Sequence, residues 1–309
     1  MACYHPITAW YSKFKNPSGK RSLVFNPNLA EQRDDPIDIA CGQCVGCRLE
    51  RSRQWAIRCV HEASLYESNC FITLTFSPDA LQQRENEWSL DVRDYQLFMK
   101  RLRKKYGSKI RFFHCGEYGE KHKRPHYHAC LFNFDFPDKK LWRTVNGNNL
   151  YISESLCDLW PYGFSTIGDV TFESAAYVSR YIMKKVTGSA ADEHYHWVDE
   201  ETGETKPLKP EYTTMSRRPG IGKGWFDKYE SDVFPDDFVV INGKKMRPPK
   251  YYDSLLEQTR PFEFDYIKDQ RKIKALDFQD NNTHDRLEVR EKVQLARLEK
   301  LPRNHDKDI

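Results

Sequence analysis

RPHYHACLF, residues 124–132, places His126 and His128 one residue apart at the mouth of an apolar run. In a β-strand, side chains alternate between faces, so both imidazoles share one face and Tyr127 takes the other. A strand built only for packing would not choose two imidazoles on one face. A metal site would, because neutral imidazole is the commonest metal ligand and paired ligands need a rigid frame. Glu117 closes the preceding apolar run, IRFFHCGE (110–117), and could bring a carboxylate across a hairpin. Two imidazoles and one carboxylate leave positions open on a divalent ion for substrate oxygens, and phosphate oxygens would suit Mg²⁺ or Mn²⁺. Glu120, His122 and His114 compete as third ligand, and a structural or surface histidine pair is the alternative to a metal.

YVSRY brings Tyr177 and Tyr181 to i and i+4 of an expected helix, so both hydroxyls share one face. At 100° per residue, Ala175, Val178, Ile182 and Val186 form an apolar stripe, with Tyr177, Tyr181 and Lys184 on a separate stripe roughly 100° away. The tyrosines are therefore expected off the face that anchors the helix. A tyrosine hydroxyl can form a covalent intermediate, and a neighbouring lysine can stabilise its phenolate. Two amphipathic rings packing at a core edge are the alternative.

Two further segments carry chemistry. CGQCVGC sets Cys41, Cys44 and Cys47 at C-x₂-C-x₂-C, a pattern for a soft metal. Residue 51 is arginine, so the fourth ligand must be distant; Cys3 is the candidate, with His5 behind it. Structural Zn²⁺, an iron–sulfur cluster and free thiols all remain open. SRRPGIGKGW (216–225) is basic and glycine-rich. It is not a phosphate-binding P-loop, because Gly224 stands where Ser or Thr must follow the lysine. No such motif occurs elsewhere in the chain. Arg217, Arg218 and Lys223 could grip a DNA backbone, with Trp225 or Phe226 free to stack a base; a solvated turn is the alternative.

The elements that must position these groups are legible in part. CFITLTFS (70–77), 110–117, 126–134 and 163–170 read as strands. Helices are expected over 45–67, over 91–107 with Asp91 as cap and Gly107 as stop, over 153–160, and over 172–188 between Thr171 and Gly188. The stripe of the 91–107 helix is Val92, Tyr95, Met99 and Leu102. Residues 10–25 read as two strands around a turn, and Asn242-Gly243 as the turn of another hairpin. Residues 189–216 read as an irregular polar insertion, and the last ~45 residues as one or two charged surface helices. The outcome is an α+β fold: a central, mainly antiparallel sheet with flanking helices and a charged C-terminal extension. Its expected divisions are a Cys-rich region at 1–69, a central domain at 70–230 and an extension at 231–309.

Composition sets the class. The 309 residues are 39% hydrophobic and 30% charged, with a net charge of +4. Lys and Arg cluster at 48–58, 100–105, 121–124, 180–185 and 217–223, which suggests an anionic partner, nucleic acid first. No stretch approaches 18 apolar residues, so no membrane span is expected, and the N-terminus has no secretory apolar segment. Nine cysteines without an export signal argue for reduced thiols in a cytoplasm.

Taken together and in order, FITLTF (71–76), E-x₈-H-x-H and Y-x-x-x-Y-x-x-K resemble the HUH endonuclease family, the initiators of rolling-circle replication and plasmid mobilisation. The two-tyrosine version resembles the replication initiators of the Microviridae. CGQCVGC and SRRPGIGKGW are most similar to the gokushovirus branch. The resemblance covers about 1–230. It implies a sheet with the H-x-H on a central strand and the tyrosine helix beside it. The ion would sit on Glu117, His126 and His128. A tyrosine would attack the scissile phosphate, leaving a 5′-phosphotyrosine and a free 3′-OH. It further implies single-stranded DNA and an origin duplex as substrates. The host helicase, polymerase and single-strand binding protein would be partners in the bacterial cytoplasm. A plasmid relaxase of the same family, or a non-catalytic zinc-stabilised DNA-binding protein, are the rival readings.

Overall fold

The computed structural model describes residues 3–17, 19–85, 88–119, 123–180, 186, 190–198 and 203–299. Its contacts divide into two compact units, Met1–Arg51 with Lys268–Leu301, and Ser52–Ile267 with Pro302–Ile309. In the first unit, residues from the two ends of the chain meet: His5 Nε2 lies 2.6 Å from Glu291 Oε2, and the Arg290 guanidinium stands over the Tyr4 ring.

The first unit holds β1 (Ile7–Lys15), β2 (Arg21–Val24) and β3 (Ile37–Ile39), in the order β2-β1-β3. From there the chain runs through α1 (Val45–Ala63), β4 (Asn69–Thr75), α2 (Pro78–Gln82), α3 (Val92–Tyr106), β5 (Arg111–Tyr118) and β6 (Pro125–Phe132). Next come β7 (Lys140–Val145), β8 (Asn148–Ile152), α4 (Glu154–Leu159), β9 (Ser165–Gly168) and α5 (Phe172–Arg180). They are followed by α6 (Ala190–His194), β10 (His196–Val198), β11 (Thr205–Pro207), β12 (Tyr212–Met215) and α7 (Lys223–Tyr229). The chain ends with β13 (Val239–Ile241), β14 (Lys244–Met246), α8 (Lys250–Thr259), α9 (Pro261–Leu276) and α10 (His284–Glu299).

The second unit is built on a seven-stranded sheet in the order β12-β5-β6-β4-β9-β8-β7, with every pairing antiparallel. All eight residues of β6 are buried, as a strand covered on both faces requires. On one face, Ile72, Leu74, Tyr127, Ala129 and Leu131 pack with Phe98, Met99 and Leu102 of α3. On the other, Phe71, Cys130 and Phe132 pack with Ala56 and Cys59 of α1 and with Ala175 and Val178 of α5.

Tyr127 fixes which face is which. Its hydroxyl donates to the Asp94 carboxylate (2.7 Å) and accepts the Asp91 backbone N–H (3.1 Å), locking β6 to the start of α3. Alternation then commits His126 and His128 to the α5 face. Asp91 caps α3 through Arg93 N, and Gly107 at φ 104° ends it, as expected from the sequence. Val92 is a small correction to the stripe: it is exposed, and Phe98 takes the buried position. Thr171 caps α5 reciprocally with Ser174, each side-chain oxygen accepting the other's backbone N–H.

Two parts of the sheet escape the sequence reading. Residues 189–216 are not merely an irregular insertion: they contain α6 and β10 to β12. β12 extends the sheet by pairing Tyr212–Met215 with Phe113–Gly116. The β7–β8 hairpin turns on Asn146 (φ 50°) and Gly147 (φ 80°), a turn signal that marks hairpins.

His61 on α1 is buried, stacked on Trp225 (centroids 3.5 Å) with Nδ1 2.8 Å from Tyr252 Oη. Burial disfavours its charged form and lowers its pKa to about 3. An unfolded imidazole titrates at about 6.5. Between these values the unfolded chain holds the extra proton, so stability falls as pH drops from about 6.5 to about 3. The expected slope approaches ~1.4 kcal/mol per pH unit inside that window. Thermal melts across it should show a shallower fall for His61→Gln than for the native chain; parallel curves would contradict this.

Candidate active site and metal centres

Hairpin register builds the first site. Glu117 of β5 pairs directly with His126 of β6, and His128 lies two residues further along the same face. Glu117 Oε1 stands 3.0 Å from His126 Nε2 and 2.7 Å from His128 Nε2, and all three residues are buried. His126 Nδ1 is 3.1 Å from the Arg124 carbonyl, which can only accept, so Nδ1 carries the proton. Nε2 is therefore the nitrogen that His126 turns to the Glu117 carboxylate. A proton or a metal cation held between the two atoms would complete the pair. His128 Nδ1 is held by Thr73 Oγ1 of β4 at 2.9 Å, the kind of outer support that metal-bound histidines carry.

The donor set fits an ion. Cis ligands on an octahedral Mg²⁺ or Mn²⁺ with bonds of about 2.1 Å lie about 3.0 Å apart. The three donor groups converge within 4.8 Å. Burial alone would raise the Glu117 carboxyl; the charge of His126 and hydrogen bonds from both imidazoles outweigh it and hold the carboxyl below its usual value.

Among the rival ligands, His114 is excluded. It points to the opposite face, stacked on Tyr95 (centroids 3.5 Å) with Nδ1 2.9 Å from Thr214 Oγ1. Burial and the nearby His128 push its pKa well down. Glu120 and His122 lie outside the described residues. Thr73 was not anticipated as a supporting group, because its pairing with His128 depends on the β4–β6 register.

Tyr177 comes to this site from α5. Its ring stands edge-on to His128, centroids 5.1 Å apart at 87°, and edge-on to Phe71. It is 9% exposed, which corrects the expectation that it lies off the anchoring face: α5 is buried along a stripe wide enough to include it. Tyr181 and Lys184 lie outside the described residues.

The second centre is in the first unit, where Cys3, Cys41, Cys44 and Cys47 converge within 4.8 Å. Sγ separations of 3.9 Å for Cys41–Cys47 and Cys3–Cys44 match the ~3.8 Å edge of a tetrahedral zinc–thiolate site. Gly42 at φ 76° curls the loop so that the Gln43 and Cys44 N–H groups donate to Cys41 Sγ. Burial raises the Cys41 thiol, but these N–H donors and the neighbouring thiols lower it to about 7. Such donors favour thiolate and therefore metal. His5 is not behind the cluster as a ligand; it pairs with Glu291. Cys44→Ser should release one zinc equivalent and lower the thermal midpoint. Elemental analysis finding no zinc or iron in reduced, folded protein would remove this assignment.

The glycine-rich segment is a clasp. Gly222 N–H donates to Glu62 (2.7 Å), Arg58 donates to the Ile221 carbonyl (2.9 Å) and Arg111 to the Pro219 carbonyl (2.8 Å). A Cβ on Gly222, at φ 81°, would meet Tyr252 Oη at 2.8 Å. Arg217 and Arg218 are exposed on an open groove that also carries Lys109. Three expectations change here. Trp225 has one face covered by His61, Phe226 is buried against Tyr252 and Phe234, and Lys223 is paired with Asp227 at 2.7 Å. The apolar stack beneath the loop claims the rings that seemed free for a base.

Among the described residues, no helix is long and apolar enough to cross a membrane. A family model for replication-associated proteins of the ORF2 type matches residues 69–186, the stretch from β4 through α5 that carries the triad and Tyr177. Over 272 residues the chain is 34% identical to replication-associated protein VP4 of Bdellovibrio phage phiMH2K, covering 84% of this chain and 79% of that protein. Over 290 residues it is 33% identical to replication-associated protein ORF2 of Spiroplasma virus 4, covering 88% and 86%. It is also 28% identical over 230 residues to replication-associated protein ORF4 of Chlamydia phage 1, covering 71% and 54%. No solved structure matches the chain significantly. With two such proteins matched over most of their length and the family's segment falling on the triad, the chain belongs to the replication-associated protein family of these phages.

Proposed function

We propose that the protein is an HUH-type initiator that nicks and rejoins phage DNA at its origin, with the endonuclease domain over 70–230. The observation that supports this most is Tyr177 standing edge-on to His128, on the face where Glu117, His126 and His128 converge. Mg²⁺ or Mn²⁺, when bound, would supply the positive charge that polarises a phosphoryl oxygen. Glu117, His126 and His128 hold it, and Thr73 orients His128. Tyr177 or Tyr181 contributes the phenol oxygen. That oxygen bonds to phosphorus as the bond to the 3′ oxygen breaks, giving a 5′-phosphotyrosine and a free 3′-OH. One ester replaces another, so no ATP is needed. Lys184, three residues after Tyr181 and seven after Tyr177, stabilises either phenolate. After one round of synthesis the second tyrosine takes the regenerated site, and the strand is rejoined. Arg217 and Arg218 contact the DNA backbone. Single-stranded DNA and the origin duplex are the substrates. The host helicase, polymerase and single-strand binding protein complete the reaction in the bacterial cytoplasm.

The test is incubation of purified protein with labelled single-stranded origin DNA and Mn²⁺. The expected product is a protein–DNA adduct that survives denaturation, with a free 3′-OH fragment. Metal-independent binding without an adduct would favour a non-catalytic DNA-binding role.

A further inference from the structure

A cavity of about 200 Å³ lies beside the triad, on the same face of the sheet. Its floor is Thr73 of β4 and Thr166 of β9; its outer wall is the β7–β8 hairpin. Two cross-strand rows lead into it from the metal ligands. His128 pairs with Thr73, which pairs with Thr166; His126 pairs with Thr75, whose N–H and hydroxyl both donate to the Phe164 carbonyl. The floor therefore runs from one strand spacing to two strand spacings from the histidines, about 5 to about 10 Å.

The lining has the chemistry of a base site. Trp142 and Phe164 pack edge to face at 4.9 Å, yet remain 40% and 45% exposed. The Arg143 guanidinium stands 4.2 Å over the Trp142 ring. Exposed aromatics stiffened in this way at the rim of a cleft are a stacking platform. Asp169, Glu173 and Asn148 line the same cavity. Two carboxylates repel a phosphate but accept hydrogen bonds from an exocyclic amine. The volume suits one planar ring system rather than a duplex.

We propose that this cavity holds one unpaired nucleobase bearing an exocyclic amine, which thymine lacks, next to the phosphate presented to the triad. The base stacks on one of the two rings, Trp142 or Phe164, with the other against its edge, and donates its amine to Asp169 or Glu173. Part of the cutting specificity would then come from the sheet edge rather than from the basic groove. Thr73 lines the cavity and also supports His128, so a seated base would buttress a metal ligand. This rests on reading the triad as a strand-cutting centre, but the site itself can be tested without cutting.

The probes are labelled single-stranded oligonucleotides of dA, dC and dT, and a fully abasic strand of equal length. Binding is read by fluorescence anisotropy without added Mg²⁺ or Mn²⁺. The native chain should prefer dA and dC over dT by at least ~5-fold. Trp142→Ala and Phe164→Ala should each lower the affinity ratio of dA to the abasic strand by about 5-fold or more. Asp169→Ala should erase the preference for dA and dC over dT without weakening dT. Ratios kept within about twofold in the two aromatic variants would overturn the proposal, as would uniform weakening on every probe or a native preference for dT. A native chain that shows the preference but never forms a covalent adduct keeps the base site and removes the strand-cutting reading.

Discussion

His128→Ala should lose the proposed nicking of single-stranded origin DNA by about 10³-fold or more, while affinity for the same DNA should change little. The magnitude follows from the several kcal/mol that a positioned divalent ion contributes to a phosphoryl transition state, at ~1.36 kcal/mol per tenfold. The specificity follows from burial: the His128 side chain is 1% exposed, whereas Arg217 and Arg218 are exposed and unchanged in this variant. Excess chelator should reproduce the loss in the native chain. Because His128 is packed against Phe71 and Tyr177, its loss also opens space in the sheet face. Glu117→Gln is therefore the companion variant: it keeps the side-chain volume but removes the negative charge that a cation needs, and it should be similarly inactive. Thr73→Val should sit between, at about 10- to 100-fold, because Thr73 only orients His128. Full activity in His126→Ala/His128→Ala would remove the triad assignment.

How much of this could be read in the sequence depended on range. Alternation within one strand is local, so the shared face of His126 and His128 was legible. Glu117 was legible because a hairpin pairs neighbours along the chain, whereas the rival His114 fell to the same alternation once the strand bounds were known. Capping at Asp91 and Thr171 was legible for the same local reason. Thr73 was not, since its contact with His128 needs the β4–β6 register, set over 55 residues. Tyr177 was misplaced because helix periodicity shows where apolar residues recur but not how wide a stripe the sheet will cover. Trp225 was misjudged likewise: nothing near it in sequence announces the His61 ring that covers it. The convergence of Cys3 with Cys41, Cys44 and Cys47 was anticipated from ligand counting, not from any local signal.

Tyr177→Phe and Tyr181→Phe should each retain some cleavage of a short single-stranded origin, and the double variant should form no covalent adduct. The ring of Tyr177 supports His128 and Phe71, and phenylalanine preserves that packing while deleting the nucleophile. Loss in the double variant thus reports chemistry rather than folding. An initiator that stays attached to the 5′ end needs a second nucleophile for the second cut. On a continuing helix, residues at i and i+4 would lie one turn apart, which would let either hydroxyl serve one phosphate. Each single variant should therefore lose most of the second strand transfer, by about 10²-fold or more, and accumulate as a stalled conjugate. Equal completion of both cuts by the single variants would remove the two-nucleophile scheme.

The most direct measurement is mass spectrometry of the adduct formed by the native chain with single-stranded origin DNA and Mn²⁺, digested to its modified peptide. The account predicts a nucleotide phosphate on the oxygen of Tyr177 or Tyr181. A phosphate on any other residue, or an adduct that persists in the Tyr177→Phe/Tyr181→Phe variant, would mean that Tyr177 only packs against His128 and that the mechanism is wrong.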